Sequence, residues 1–246
     1  MRSEKEAVLE GCIRMRWGPR YRLDTYKYIA SHYLREVGFE GKRILDVGCG
    51  SGIMSAVHCL LGRPALSVAM DDFRGEGSPV TDLAFLKGML RELGETSAQV
   101  VVGDSLELPF AKGSLDVIYV SQVLHHIYVS TNRLRDEPEG AGLPIFRALG
   151  ELHSCLSDDG VLVVVEAPRY TALRMMKPIG LLRDIDFGRK QEPADWIDAL
   201  RKAGFRRFRL KYYTPYPLRS LAFLFSRPVL RYLLSAQYFI LAYKQG

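Results

Sequence analysis

Short apolar runs alternate with amphipathic stretches along most of the chain. Apolar runs occur at residues 43–47, 65–70, 99–102, 116–120, 161–165 and 237–244, and residues 206–213 are also strand-like. Between them, apolar residues recur three and four positions apart at residues 24–37, 51–61, 79–93, 144–156 and 193–203. Runs of the first kind are typical of strands, and the spacing of the second kind is typical of helices that bury one face. The pattern therefore predicts an α/β fold.

Several of the predicted helices have recognisable ends. Asp24 is expected to cap the helix at 24–37, and Gly38 ends it. Pro79 opens the helix that Gly94 closes. These assignments follow from the preference of Asp for helix starts, of Pro for the first turn and of Gly for helix ends. The apolar runs are continuous rather than alternating, which indicates a mostly parallel sheet with helices on both faces.

The length and composition predict one compact domain. The chain has 246 residues, of which 48% are apolar and 25% charged. Its beginning carries charges from residue 2 onward, and no uncharged apolar stretch reaches the length of about 18 residues that a membrane span needs. The four cysteines, Cys12, Cys49, Cys59 and Cys155, form no C-x-x-C pair. We therefore expect no signal peptide, no disulfide framework and a cytoplasmic location.

Charge is distributed unevenly. Residues 199–246 contain ten Lys and Arg and no Asp or Glu, whereas the whole chain has a net charge of +6. Within this basic part, residues 218–236 interleave leucines and phenylalanines with three arginines. We expect this segment to pack on its own domain; contact with an anionic membrane surface, a homodimer contact and a cover for a hydrophobic pocket are the open alternatives.

A glycine-rich turn follows the first apolar run. Residues 44–52 read Ile-Leu-Asp-Val-Gly-Cys-Gly-Ser-Gly, and the next residue is Ile53. Glycines at such a turn let the backbone approach a ligand that lies over the end of the strand. A dinucleotide site requires G-x-G-x-x-G, and the third glycine here falls at Gly52, one position too early for that pattern.

This turn resembles motif I of the class I S-adenosylmethionine-dependent methyltransferases of the small-molecule type. The resemblance implies a Rossmann-like doubly wound sheet, mostly parallel, with an antiparallel last strand and helices on both faces. It also implies that S-adenosylmethionine is the cofactor and S-adenosylhomocysteine the product. Asp46 would organise the turn and approach the methionine amino group, and Gly48, Cys49 and Gly50 would offer backbone contacts.

Three further positions match the family pattern. Asp71, nineteen residues after Gly52, would accept the ribose hydroxyls, and the adjacent Asp72 is an alternative. Asp104 and Ser105 match the adenine site, where the carboxylate accepts from the exocyclic amine. Ser121 and Gln122 would lie nearest the sulfonium. The residues expected to bind the cofactor are thus Asp46, Gly48, Cys49, Gly50, Asp71, Asp72, Asp104, Ser105, Ser121 and Gln122.

Methyl transfer requires alignment of donor and acceptor, and it requires a base only when the acceptor is weakly acidic. His126 and Glu166 are the candidates for such a base, because they follow the fourth and fifth predicted strands, where ligands bind in sheets of this kind. No metal site is expected. Trp17 and Tyr21 precede the helix at 24–37, where aromatic rings would suit a sulfonium cation or serve as packing anchors.

The whole chain is predicted to be a single methyltransferase domain with additions. These are an N-terminal helical cap at about 1–40 and substrate-cap insertions at about 128–143, 167–192 and 218–236. The insertion at 167–192 is rich in Lys and Arg, so a solvated surface or a pocket for an acidic acceptor would explain it. We expect a hydrophobic or acidic small-molecule acceptor methylated at oxygen, nitrogen or carbon.

Two other functions are kept as alternatives. The first is methylation of a lipid or lipid-linked glycan at a membrane surface, and the second is cofactor binding without turnover. Nucleic acid is not expected as the acceptor, since Ser121-Gln122-Val123-Leu124 follows the fourth strand in place of an Asn-Pro-Pro-Tyr-like element.

Overall fold

A computed structural model of the chain describes residues 3–73, 78–128, 133–137, 142–171, 187–214, 216–217, 219–220, 230 and 237–245. Seven strands within these residues form one sheet: β1 (Arg43–Val47), β2 (Leu66–Asp71), β3 (Ala98–Val102), β4 (Leu115–Ser121), β5 (Leu156–Glu166), β6 (Arg207–Tyr213) and β7 (Gln237–Tyr243). Their order across the sheet is β3-β2-β1-β4-β5-β7-β6.

Strand directions agree with the expected fold class. β1 pairs in parallel with β2 and β4, and the pairs β2–β3 and β4–β5 are parallel as well. The last strand, β7, is antiparallel to both of its neighbours, β5 and β6. The chain order reverses direction across the sheet between β1 and β4, so the cleft outside their carboxyl ends is the place where a ligand binds in a sheet of this kind.

Helices cover both faces of the sheet. They are α1 (Glu4–Trp17), α2 (Leu23–Val37), α3 (Ile53–Gly62), α4 (Val80–Glu92), α5 (Leu124–Ile127), α6 (Pro144–Cys155) and α7 (Pro193–Lys202), with a 3-10 helix at Leu134–Asp136. One core packs α1 to α4 against one face, and a second core packs α5 to α7 against the other. In β4, Val117 and Tyr119 enter the first core, whereas Ile118 and Val120 enter the second. This two-sided burial explains the continuous apolar runs.

The predicted helix ends are partly confirmed. Gly38 ends α2 with φ +62°, and its N–H donates to the carbonyl of Leu34 at 2.9 Å. The prediction that Asp24 caps this helix was wrong, because α2 begins at Leu23 and its N-cap residue makes no side-chain hydrogen bond. Instead, the Leu23 N–H donates to the buried carboxylate of Glu10 at 2.7 Å. A residue of α1 thus satisfies an N-terminal amide of α2.

Two strand and helix boundaries also differ from expectation. β5 begins at Leu156 rather than at residue 161, and α6 ends at Cys155. Within the segment predicted as an N-terminal cap, the structure has the two helices α1 and α2, and a capping box formed by Ser3 and Glu6 begins the first of them.

The three predicted insertions fall partly outside the described residues. Residues 129–132 and 138–141 of the first, 172–186 of the second, and 218, 221–229 and 231–236 of the third lie outside them. The membrane, dimer and pocket-cover hypotheses for 218–236 therefore stay predictions. In the part of the chain that the structure describes, no helix has both the length and the apolar character needed to cross a bilayer.

Candidate functional site

A cavity of about 740 Å³ opens at the carboxyl ends of β1, β2 and β4. It contains the glycine turn, the end of β2, the residues after β3 and the turn between β4 and α5. Nine of the ten predicted cofactor residues line it, the exception being Asp46, and so does the predicted catalytic residue His126. Its remaining lining residues are Trp17, Val47, Ser51, Met70, Ser78, Gly103, Leu106, Val123, Ile127 and Pro144.

Glycines are needed in this turn for the packing around it as well as for the approach of a ligand. Gly48, Gly50 and Gly52 have φ values of +67°, +54° and +70°, which L residues rarely adopt. A Cβ on Gly48 would lie 2.3 Å from a methyl group of Val123, and one on Gly52 would lie 2.1 Å from a methyl group of Leu86. The turn is therefore pressed against the β4–α5 turn on one side and α4 on the other.

Asp71 connects the glycine turn to the end of β2. Its carboxylate accepts hydrogen bonds from the Gly50 N–H at 2.9 Å, the Ser78 hydroxyl at 2.9 Å and the Phe73 N–H at 3.0 Å. Asp71 is buried, whereas the alternative Asp72 is exposed at the cavity wall. Ser78 was not predicted as a site residue. It comes after residues 74–77 in the sequence, and no recognised motif includes it.

Asp46 lies behind the glycine turn and does not line the cavity. It is 2% exposed, and the hydroxyl of Ser55 on α3 donates to its carboxylate at 2.5 Å. Burial raises the pKa of Asp46 to about 7, with a further increase from Asp71 and a decrease from the Ser55 hydrogen bond. Its predicted contact with a methionine amino group stays a prediction.

Cys49 contributes its backbone rather than a reactive thiol. Burial, together with the nearby carboxylates of Asp46 and Asp71, raises the pKa of the Cys49 thiol well above its usual range. The side chain is therefore a neutral thiol at physiological pH, which is not a nucleophile.

The residues after β3 form a second polar wall. The N–H of Gly103 donates to the carbonyl of Asp71 at 3.1 Å, which places this segment beside the end of β2. Asp104 is exposed, and its carboxylate accepts from the N–H of Leu106 at 2.8 Å. This Asx turn directs the half-buried Ser105 to the cavity.

The end of β4 contains an unusual backbone conformation. Gln122 has φ +57°, and its N–H donates to the carbonyl of Val165 at 2.9 Å. Its side-chain oxygen accepts from the ammonium of Lys190 at 2.7 Å. A non-glycine residue in this region costs about 1–3 kcal/mol and persists where the surroundings over-determine it, often at functional sites.

The two predicted bases differ in position. His126 is exposed at the cavity wall, and its pKa is lowered mainly by partial desolvation, then by His125 and Lys190, against the opposing charge of Glu166. Glu166 is 1% exposed and does not line the cavity. Both of its oxygens lie 3.1 Å from Nδ1 of His125. His126 is thus the predicted base that a substrate in the cavity could contact.

The sequence did not indicate that His125 and Lys190 lie close together in the folded chain. Lys190 Nζ lies 2.8 Å from His125 Nε2 and 3.7 Å from Glu166. In the sequence, Lys190 is one of several basic residues in the insertion at 167–192, and nothing local distinguishes it as the buried one.

The end of α1 supplies an aromatic wall. Arg16 donates to both carboxylate oxygens of Asp82 on α4, at 2.8 and 3.1 Å, and its guanidinium lies 4.2 Å from the ring centre of Trp17. This ion pair holds Trp17 at the cavity. Tyr21, the second aromatic residue predicted near the cofactor, is not among the lining residues. No group of three or more His, Cys, Asp or Glu residues suited to a metal ion occurs within the described ranges.

Comparisons with known proteins identify a family for this chain. Residues 21–210 match the family model described as a methyltransferase domain. A protein of Encephalitozoon cuniculi named as a methyltransferase is 28% identical over 162 residues, which is 66% of this chain. The match spans 58% of that protein.

Solved structures share the fold. An S-adenosylmethionine-dependent methyltransferase from Aquifex aeolicus superposes with a TM-score of 0.60 at 16% identity over 98% of both chains. An N-methyltransferase of Haemonchus contortus, solved with phosphomonomethylethanolamine and S-adenosylhomocysteine, superposes with a TM-score of 0.61 at 14% identity, over 99% of this chain and 58% of the other. With the family match covering most of its length, this chain belongs to the class I S-adenosylmethionine-dependent methyltransferases.

Proposed function

We propose that this chain binds S-adenosylmethionine in the cavity beside the glycine turn and transfers its methyl group to a hydrophobic or acidic small molecule. The observation that carries the proposal is the convergence of the glycine turn, Asp71, Asp104 and the end of β4 on one cavity. The family pattern assigns these groups to the methionine, ribose and adenine portions of the cofactor.

The residues present fit such a cofactor. Asp71 accepts three hydrogen bonds, and a carboxylate has about four lone-pair sites, so it can accept a further donor such as a ribose hydroxyl. Asp104, on the segment beside the end of β2, can accept from an amine, while Gly103 and Ser105 next to it also line the cavity. Asp46, 2% exposed directly behind the turn, is near the place where a methionine ammonium would lie, and with its pKa raised to about 7 it carries a negative charge above that pH.

When bound, S-adenosylmethionine supplies an electrophilic methyl group on a sulfonium. The end of β4 would orient the transfer, since Ser121 and Gln122 line the same cavity as His126. Trp17, Ile127 and Pro144 would exclude water from the acceptor side, because their side chains offer mostly apolar surface.

His126 is suited to take up the proton that a hydroxyl or amine acceptor loses. Partial desolvation lowers its pKa, so the imidazole is neutral near pH 7 and has a nitrogen able to accept a proton. His126, or water in its place, would take up the proton that the acceptor loses as its lone pair bonds to the methyl carbon and the carbon–sulfur bond breaks.

The lining and the charges behind it support the proposed acceptor class. Apolar side chains in the lining favour a molecule with hydrophobic surface. Near His126, the cations Lys190 and Arg189 lower its pKa and the single anion Glu166 raises it, so cations outnumber anions at this part of the wall. The resulting positive potential favours an acidic group on the acceptor.

Calorimetric titration with S-adenosylhomocysteine tests the cofactor assignment. We expect the wild type to bind with a micromolar Kd, which corresponds to about −8 kcal/mol. Asp71→Ala and Asp104→Ala should lose that binding. Asp198→Ala, which changes an exposed carboxylate on α7, is the matched control and should bind as the wild type does. Absence of binding by the wild type would overturn the proposal.

Turnover is tested separately. Wild-type protein that binds S-adenosylhomocysteine is incubated with S-adenosylmethionine and a panel of small carboxylic acids, phenols and amines, and product S-adenosylhomocysteine is quantified. We expect release above the acceptor-free rate for at least one hydrophobic or acidic member, and a decrease in that rate with His126→Gln. Binding without release across the panel would support the alternative of cofactor binding without turnover.

A further inference from the structure

A buried polar cluster lies directly behind the turn that connects β4 to α5. It consists of Gln122, His125, Glu166 and Lys190, and we call it the Lys190 cluster. Lys190 is 4% exposed and Glu166 is 1% exposed. A buried ammonium or carboxylate is tolerated only when it is paired and hydrogen-bonded, so the contacts within the cluster are necessary for the fold.

The polar groups of the cluster contact one another. Lys190 Nζ donates to the side-chain oxygen of Gln122 at 2.7 Å and lies 2.8 Å from Nε2 and 3.1 Å from Nδ1 of His125. Nδ1 of His125 also lies 3.1 Å from both carboxylate oxygens of Glu166, so in the tautomer with the hydrogen on Nδ1 the ring donates to Glu166 and Nε2 can accept from Lys190. The ring of His125 lies 4.2 Å from that of His126, centre to centre. The cluster therefore connects Glu166 to Gln122 through Lys190, and to His126 through His125. Gln122 and His126 both line the cavity.

The residues that follow Lys190 hold other segments in place. The side-chain oxygen of Gln191 accepts from the N–H of Leu134 at 2.9 Å, and Glu192 accepts from the N–H of Tyr170 at 2.9 Å. Asp195 forms an ion pair with Arg133 at 3.0 Å. Residues 190–195 thus tie parts of the two insertions predicted at 128–143 and 167–192 to the turn after β4.

We propose that Lys190 is a positioning residue for methyl transfer: it joins these insertions to the cavity wall by fixing Gln122 and His125. The inference rests on the proposed function. Gln122 has the strained φ of +57°, and the Lys190 hydrogen bond to its side chain is one of the contacts that hold it there. Without that contact, the turn relaxes, and the end of the cavity nearest the methyl group loses its shape.

The test compares Lys190→Met, Lys190→Arg and Lys211→Met by calorimetry with S-adenosylhomocysteine. Lys211 is the matched control, because it is an exposed lysine on β6 that forms an ion pair with Glu36 on α2 and does not line the cavity. We expect Lys190→Met to raise the Kd about tenfold. The corresponding loss of binding free energy is similar to the strain energy of one residue in an unfavourable backbone conformation. Lys190→Arg should restore most of the affinity, and Lys211→Met should match the wild type.

A second measurement separates positioning from general destabilisation. The pKa of the His126 imidazole is followed by NMR in the same proteins; the groups that face it are His125, Lys190, Arg189 and Glu166. Removal of the Lys190 charge should raise this pKa, whereas Lys190→Arg and Lys211→Met should leave it unchanged. A loss of stability alone would not move the titration of the folded protein in this direction.

Lys190→Met leaves the Glu166 charge buried without its cation, so the same measurements are made on the double variant Lys190→Met/Glu166→Gln, in which neither member of this pair is charged. We expect the double variant to fold and to show the same tenfold increase in Kd. Wild-type affinity in the folded double variant would overturn the inference alone. Failure of the wild type to bind S-adenosylhomocysteine would overturn the proposed function, and the inference with it.

Discussion

The ionisable side chains around the cavity differ in charge because they differ in burial. Asp46 is buried, and its pKa is raised to about 7, whereas Asp104 is exposed to solvent. Desolvation lowers the pKa of His126 and raises that of Cys49. At the scale of the residue, desolvation therefore leaves His126 able to accept a proton and keeps Cys49 unreactive.

The raised pKa of Asp46 predicts a measurable pH dependence of stability. Between its ordinary value of 3.8 and about 7, the folded protein holds a proton that the unfolded chain has lost. The stability contributed by this group is therefore complete below pH 3.8 and is lost as the pH rises towards 7. In Asp46→Asn, this dependence should disappear. Relative to the wild type, the variant should gain up to about 4 kcal/mol in free energy of unfolding between pH 4 and pH 7.5.

Urea denaturation at several pH values, without cofactor, measures this difference. Asn retains an oxygen that can accept from the Ser55 hydroxyl, so the substitution changes the charge with little change in packing. Parallel stability curves for the two proteins over this pH range would contradict the assignment of a buried, protonated Asp46.

At the scale of the element, the glycine turn determines how α3 and α4 approach each other. Gly52 is the N-cap residue of α3 and has φ +70°. Its Cα faces Leu86 on α4 so closely that a Cβ would lie 2.1 Å from a methyl group of that residue. α4 also carries Asp82, which binds Arg16 and thereby holds the end of α1 at the cavity. The turn, α4 and α1 thus form one side of the site together.

Two glycine substitutions on these elements should have opposite effects. Gly52→Ala introduces both an unfavourable φ and a steric clash, so we expect a loss of at least about 2 kcal/mol in the free energy of unfolding. Gly88→Ala is the matched control, since Gly88 lies within α4 and a Cβ there meets no atom within 4 Å. It should stabilise the protein by about 1 kcal/mol, because Ala favours the helix. Urea denaturation measures both, and equal stability of the two variants would refute the role given to Gly52.

At the scale of the whole molecule, the sheet joins the two cores. Strands β1, β4, β5 and β7 each contribute residues to both cores, so loss of either core exposes the other face of the same strands. The cavity lies across the carboxyl ends of three strands of that sheet. A ligand bound there should therefore stabilise the described domain as a unit.

Cofactor binding should raise the stability of this unit by a calculable amount. At a free S-adenosylhomocysteine concentration of one hundred times Kd, the free energy of unfolding should rise by about 2.7 kcal/mol. Circular dichroism and the fluorescence of Trp17 and Trp196 should report the same shifted transition, although they probe different parts of the fold. Separate transitions for the two probes would show instead that the ligand stabilises only one side of the sheet.

Much of the fold could be predicted because its signals are local. The strands that line the centre of the sheet are continuous apolar runs, and the glycine turn, Asp71, Asp104 and Gln122 each lie at or just beyond the end of a strand. The cap of α2 could not be predicted in this way. The side chain that accepts from Leu23 belongs to Glu10, thirteen residues away on another helix, and no pattern around Leu23 indicates it.

The sequence by itself determined the α/β class and the glycine turn, because strand periodicity and turns are properties of short segments. Its resemblance to the methyltransferase family indicated ten candidate cofactor residues, of which nine line the cavity. Only the tertiary structure decided that Asp46 and Glu166 lie behind the cavity wall, and that Lys190 rather than another cation of its segment is buried against Gln122. The physical reason is that burial and pairing depend on which elements the folded chain brings together, and a local pattern contains no information about partners tens of residues away.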